Sequence, residues 1–334
     1  MKTRHLLIHI LTVLLAFPLT GTPARAATIE VLEIFDYPGT GNQTRPQKIN
    51  DGDVIAGIYI DSAGASRGFY RRADGSFSAP IVEPNDTANL TEVRGINNSG
   101  RLCGDYIGGD GTFHGFLLSR GTFTEFDVAG PSGTQVLGIS NSGALGGAFV
   151  GDAGIFQAFV KIAGITTQID IPDVTFSGAY HLNASNEVVG YYTDGAAINH
   201  GFTQDSDGRL TFPIDPPGST GTILFGNNDH NWAVGRYVDG SGVTHGLFFI
   251  PPDHFLTFDY PGSTFTSLNG INRKGLICGR YTDAAGIDHG FLARVTRNTA
   301  DEADRQIRPK TPPLAPVKPA TPLPATHRAG SPAS

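Results

Sequence analysis

Four histidines share one spacing. His114, His200, His245 and His289 each stand ten residues after a glycine, at Gly104, Gly190, Gly235 and Gly279. Imidazole is a common metal ligand, so four in register first suggest a metal centre. Two further copies of the pattern hold Arg67 and Gln157 in this slot, and neither is a usual ligand. A metal takes its nitrogens at about 2 Å, and positions repeated once per module around a ring stand too far apart. The histidines therefore read as hydrogen-bonding a turn or neighbouring strand, once per module. Six acidic residues recur in the same way, at Asp36, Glu83, Asp127, Asp170, Asp215 and Asp259. They could form a calcium- or sugar-binding ring. Their Pro/Gly-rich setting favours carboxylates that accept backbone N–H bonds and fix the crossing between modules. The loops at Asp61, Asp194, Asp239 and Asp283 lack alternating Asp-x-Asp calcium spacing.

Other candidates for chemistry are weaker. Gly64-Ala65-Ser66-Arg67-Gly68 matches Gly-x-Ser-x-Gly, but a nucleophile elbow needs a strand turning into a helix. This segment reads as a hairpin loop. His-Glu-x-x-His, Cys-x-x-Cys and phosphate-loop motifs are absent from the sequence. Trp232 beside His230 could stack on a sugar ring; it reads instead as the cover of a sheet edge. Cys103 and Cys278 occupy equivalent positions in different modules and are expected to be buried free thiols. No metal and no cofactor is expected.

The elements that carry these residues follow from an internal repeat. Six times the chain shows Ile-Asn-x-x-Gly or a close variant, a short apolar stretch, Gly-x-Tyr, a polar turn, and His-Gly-Phe. The glycine of Gly-x-Tyr falls at Gly57, Gly104, Gly147, Gly190, Gly235 and Gly279, with steps of 43 to 47 residues. Each module reads as four short strands, the size of a propeller blade. The sixth has no fourth strand after Phe291–Val295. Glu30 to Tyr37 resembles Leu256 to Tyr260, down to a shared Phe-Asp-Tyr-Pro-Gly. The expectation is an all-β, six-bladed β-propeller of four-stranded blades over residues 27–295, its last blade closed by the N-terminal strand, which removes both sheet edges.

The motif set Ile271, Asn272, Gly275, Gly279, Tyr281, His289, Gly290 and Phe291 resembles the bacterial extracellular repeats named for His-Ala-Phe, the HAF repeats. The match spans Phe35 to about Val295. Most copies here have Gly in place of Ala; Gln157-Ala158-Phe159 keeps the Ala. The resemblance implies a secreted, propeller-like protein and brings no catalytic residues with it.

Positions that differ between modules are freer to serve a ligand than those the fold dictates. Each inner strand opens with Thr or Ser: Thr44, Thr91, Thr134, Ser177, Thr222, Thr266. The next alternating positions diverge: Arg45 and Gln47, Glu92 and Arg94, Gln135 and Leu137, Gly178 and Tyr180, Ile223 and Phe225, Ser267 and Asn269. Arg45, Glu92, Arg94 and Tyr180, with His181 beside them, are therefore the candidate ligand residues, expected at the mouth where the inner strands begin.

Composition bounds the partners. The chain has 334 residues with 44 Gly, 39% hydrophobic and 16% charged residues. Met1 to Ala26 has a basic start, an apolar stretch and small residues before the expected cut after Ala26, the layout of a signal peptide. Residues 296–334 form a Pro/Ala-rich segment expected to be an extended, disordered tail. The segment between carries a net charge near −13, which repels nucleic acid and anionic membranes. No stretch of 18 apolar residues is present to cross a membrane. The expected protein is a secreted or periplasmic monomer, a non-enzymatic binding or scaffold module. Its partner would be a small molecule, a glycan or a protein. The alternative is a propeller lyase or hydrolase acting on a saccharide or lactone at the channel mouth.

Overall fold

The computed structural model describes residues 27–39, 41, 43–128 and 133–297. The expected leader and all but the first two residues of the expected tail lie outside these. The described residues form 23 strands and no helix. Strand β1 (Ala27–Phe35) comes first. The first module holds β2 (Gln43–Ile49), β3 (Ile55–Ile60) and β4 (Ser66–Arg71), and the second β5 (Glu92–Ile96), β6 (Leu102–Ile107), β7 (Phe113–Ser119) and β8 (Thr122–Phe126). The third holds β9 (Thr134–Ile139), β10 (Leu145–Val150), β11 (Phe156–Ile162) and β12 (Ile165–Gln168). The fourth holds β13 (Val174–Leu182), β14 (Val188–Asp194), β15 (Asn199–Gln204) and β16 (Leu210–Ile214). The fifth holds β17 (Gly221–Asn227), β18 (Ala233–Val238), β19 (Thr244–Ile250) and β20 (His254–Phe258), and the sixth β21 (Phe265–Ile271), β22 (Leu276–Thr282) and β23 (Asp288–Arg297).

Hydrogen bonding does not divide these strands into six separate four-stranded sheets. Three four-stranded sheets, one three-stranded sheet and one eight-stranded sheet result. In the first module the fourth strand shrinks to two bridges, Gly68–Ile81 and Arg71–Phe77. Pro80 and Pro84, which lack N–H donors, flank Ile81 there. The fifth and sixth modules join through one parallel bridge, Thr244–Phe265. Along the axis β2, β5, β9, β13, β17 and β21 each lie against the next, and β21 returns to β2.

β1 pairs antiparallel with β23, from Ala27–Arg297 through Val31–Ala293 to Phe35–Gly290. The pairing runs two residues past Val295, the expected edge of the tail, because Ala27 and Thr28 supply partners there. Ser66 sits at the start of a strand, β4, so the Gly-x-Ser-x-Gly segment makes no strand-to-helix elbow.

The core lies between neighbouring sheets. One cluster joins Ala56 of the first module to Val93, Ile96, Leu102, Tyr106 and Phe116 of the second. Phe69, Phe116, Phe159, Phe202, Leu247 and Phe291 are all fully buried; each such side chain stabilises by about 1.5–3 kcal/mol. The glycine of Gly-x-Tyr is required by this packing. A Cβ on Gly104 would lie 1.9 Å from the Glu92 carbonyl oxygen and 2.7 Å from the Phe116 ring.

Candidate functional site

The repeated motifs build scaffolding. His245 places Nδ1 2.9 Å from the Asp259 carboxylate and Nε2 3.3 Å from Asp239, and stacks on Tyr237 at 5.1 Å. His114, His200 and His289 repeat the arrangement with Asp127 and Asp110, Asp215 and Asp194, Asp36 and Asp283. The expected bond to turn and neighbouring strand is present, but its acceptors are carboxylates. The acidic residues correspondingly pair with histidine more than with backbone; Gly115 N–H to Asp127, at 3.3 Å, is a backbone contact of the expected kind. Loop aspartates such as Asp239 also accept from backbone N–H groups two and four residues on. Burial pulls each histidine pKa down, and the two carboxylates outweigh it, so all four end raised.

The asparagine of Ile-Asn is a clasp between modules. Asn272 Oδ1 accepts from Lys274 and Leu276 N–H in its own turn, while Nδ2 donates to the Asn50 carbonyl at 3.0 Å. Asn50, Asn97, Asn183 and Asn228 each donate to the next module in the same way. The opening Thr or Ser is buried, as its uniformity suggests, and Thr44, Thr91, Thr134 and Thr266 accept N–H bonds from the strand crossing.

The divergent inner-strand positions carry an asymmetric belt. Every inner strand has a β-bulge, and the residue skipped by the ladder is Gln47, Arg94, Leu137, Tyr180, Phe225 or Asn269. The extra residue turns two consecutive side chains away from regular alternation. On one side Arg94 donates to Glu92 and, at 3.0 Å, to the fully buried Asp105, which Gln135 also reaches at 3.4 Å. On the other side Asp288 accepts from Arg45 at 2.6 Å and from Arg280 at 2.5 Å. The Arg280 guanidinium lies 4.7 Å from the Phe265 ring centre. Arg236 lies 5.3 Å from that ring and 5.4 Å from Phe225. Phe225 meets Tyr180 at 5.5 Å, and Tyr180 meets Tyr191 at 5.2 Å. Burial lowers the Arg280 pKa to about 10, with Asp288 opposing and the Arg45 and Arg236 charges adding to the fall. Arg94 is raised: Asp105 and Glu92 overcome the burial that would lower it.

Arg45, Glu92, Arg94 and Tyr180 thus belong to one belt. Arg236 and Arg280 join it without having been anticipated. Both occupy the middle of Gly-x-Tyr, where the other modules have Ile58, Asp105, Ala148 and Tyr191. Divergence at that position was the available signal. His181 is set apart. The residue after each bulge is Gly95, Gly138, Gly226 or Gly270 in four modules, with Lys48 and His181 in the first and fourth. The glycines are required where inner strands touch: a Cβ on Gly138 would meet His181 Cα at 2.9 Å. His181 helps line a narrow cleft of about 40 Å³ at the opposite end, formed by the Ile-Asn corners of all six modules. Its Nδ1 lies 2.8 Å from Asn227 Oδ1, and burial followed by the Lys48 charge pushes its pKa down to about 4.

Cys103 and Cys278 are buried free thiols. Trp232 is half-buried and packs against Phe248. One group among the described residues, His114, Glu125 and Asp127, brings three possible metal ligands within 4.8 Å of one another. It sits on β7, β8 and the residue after β8, away from the inner strands.

The fold defines the class: an all-β propeller. It is similar to putative TolB from Agrobacterium tumefaciens, with TM-score 0.52 and 12% identity over 82% of this chain and 99% of that one. AofleA from Arthrobotrys oligospora follows, at 0.51 and 8% over 83% and 90%. A mutant Aleuria aurantia lectin, in complex with Fucα1-6GlcNAc, gives 0.46 and 10% over 76% and 94%. No protein-family model and no curated protein matches the sequence.

Proposed function

We propose that this chain is a secreted, non-enzymatic binding module of the HAF-repeat kind, built as six blades, and that it takes its ligand at the mouth where the inner strands begin. The six-blade count rests on the closed ring of inner strands and on treating the eight-stranded sheet as two blades joined by a single bridge. Secretion rests on the layout of residues 1–26.

The observation that carries the binding reading is the contrast between layers. The Tyr–His–Asp and Asn contacts recur around the ring and hold it. The belt of Arg45, Glu92, Arg94, Tyr180, Arg236 and Arg280 differs in every module and gathers charge and aromatic surface on one face. A small polar ligand or a glycan suits such a surface.

The test is a glycan-array and metal-content screen of the purified protein, followed by titration of any hit into the Arg94→Ala/Tyr180→Ala double variant. A hit weakened at least tenfold there supports the reading. Unchanged affinity places the site elsewhere.

A further inference from the structure

We infer that the Arg45–Arg236–Arg280 side of this mouth is an oxyanion subsite, and that the ligand it takes is an acidic sugar or a similar small polyhydroxylated acid. The inference rests on the mouth reading above and adds the charge of the ligand.

Three guanidinium groups from three consecutive modules lie near one another here, two of them on one carboxylate. Asp288 is shared by Arg45 and Arg280. Arg280 and Arg236 both lie over the Phe265 ring. Arg236 makes no hydrogen bond or ion pair among the described residues; its contacts are the faces of Phe225 and Phe265. Three positive charges against one negative charge remain in a body near −13 overall. Such a concentration of like charge is costly unless an anion completes it.

The geometry also says how the anion would be held. The Arg236 guanidinium carbon lies 5.3 Å from the centre of the Phe265 ring and 5.4 Å from that of Phe225, and its N–H groups have no hydrogen-bond partner among the described residues. A guanidinium presents a planar fork matched to two oxygens of one oxyanion. Arg45 and Arg280 are 29% and 18% exposed, so the cluster is reachable from solvent. Beyond Phe225 the lining changes character. The half-buried Tyr180, 5.5 Å from that ring, offers a hydroxyl and an aromatic face, and Glu92 offers a carboxylate to sugar hydroxyls. A ligand with an anionic end and hydroxyls along its body fits this polarity; a neutral sugar would leave Arg236 uncompensated.

The experiment measures the affinity of the purified protein for D-glucuronate, D-glucose 6-phosphate and D-glucose by calorimetry at low salt. The same titrations use Arg236→Gln and, as a control outside the mouth, Arg209→Gln. The expected result is binding of one or both acids at least tenfold tighter than glucose, lost at least tenfold in Arg236→Gln and kept in Arg209→Gln. The two acids distinguish a carboxylate from a phosphate source. Equal affinity for glucose and both acids, or acid binding unchanged in Arg236→Gln, overturns the subsite. Binding of none of the three overturns it as well. The mouth reading survives any of these if a neutral ligand is bound and lost in Arg94→Ala/Tyr180→Ala, so the two failures are distinguishable. Thermal unfolding of Arg236→Gln shows whether the variant is folded; should it not be, Arg45→Gln carries the same test.

Discussion

His181 Nδ1 lies 2.8 Å from Oδ1 of Asn227, and both residues depart from what their slots hold elsewhere. Four other modules have glycine at the His181 position, and five have Ile or Leu at the Asn227 position. Asn227 Nδ2 donates to the Glu187 carbonyl at 2.9 Å, which turns Oδ1 toward the imidazole. Nδ1 is therefore assigned the proton, the Asn227 N–H at 3.5 Å from the same nitrogen being the longer contact. With its pKa pushed down to about 4, His181 stays neutral through pH 5, an outcome read from its ¹⁵N shifts. Asn227→Ala leaves a buried N–H unpaired and lowers stability by about 1–3 kcal/mol. The pair His181→Gly/Asn227→Ile, which restores the repeat, recovers much of that loss. Imidazolium at pH 6 would contradict the assignment.

Lys48 is 3% exposed, and no hydrogen bond among the described residues reaches its ammonium. Burial lowers its pKa to about 8; the neighbouring Cys278 and Cys103 oppose the shift and the Arg94 charge adds to it. Below pH 8 both folded and unfolded chains hold the proton, and the folded state carries the full penalty. Between about pH 8 and the ordinary lysine value near 10.5 the unfolded chain holds a proton that the folded chain has released. Stability from this group therefore rises with pH across that window. Lys48→Met is expected to stabilise the protein by about 3 kcal/mol at pH 7, and to flatten the alkaline rise, both visible in denaturant titrations. A destabilised Lys48→Met would show that the ammonium has a favourable role.

The Tyr–His–Asp units give the opposite dependence. His114, His200, His245 and His289 have raised pKa values, so their contribution is complete below the unfolded histidine value and is lost as pH rises through the folded one. Their partners Asp110, Asp194, Asp239 and Asp283 are held low, foremost by backbone N–H donors, and lose their contribution as pH falls toward those values. His245→Ala should lower stability by about 1–3 kcal/mol, and reduce the decline between pH 6 and 8. Unchanged melting across that range in His245→Ala would remove the structural role.

Deleting residues 27–35 strips β1 from β23 and uncovers the edge from Gly290 to Arg297. It also removes Phe35, which packs under Arg71 at 4.6 Å, and Glu33, which pairs with Arg71. The truncated chain is expected to lose thermal stability and to self-associate through the open edge, as light scattering would report. A monomeric truncation with unchanged melting would mean that ring closure is not needed.

The sequence alone carried the periodic part of this protein. A six-fold pattern with fixed internal spacing makes each module repeat the same contacts, so the strand order, the core phenylalanines, the glycine before each aromatic and the N-terminal strand on the last sheet were all legible. The structural role of the histidines was legible too, because a position repeated once per module around a ring cannot converge on one ion. Tertiary structure decided what depends on the distance between modules. It gave the histidines carboxylate partners from a loop and a fourth strand, and made the Ile-Asn asparagine a bond to the neighbouring module. It split the candidate set as well: alternation counted from Thr44 or Ser177 places one face correctly until the bulge, after which one extra residue per strand changes which side chains share a side. For that reason Tyr180 packs on Phe225 and Tyr191 in the belt, while His181 turns to the cleft at the Ile-Asn corners. Arg236 and Arg280 sit on second strands, over a hundred residues from Arg45 and Arg94, and only closure of the ring brings them into the same belt.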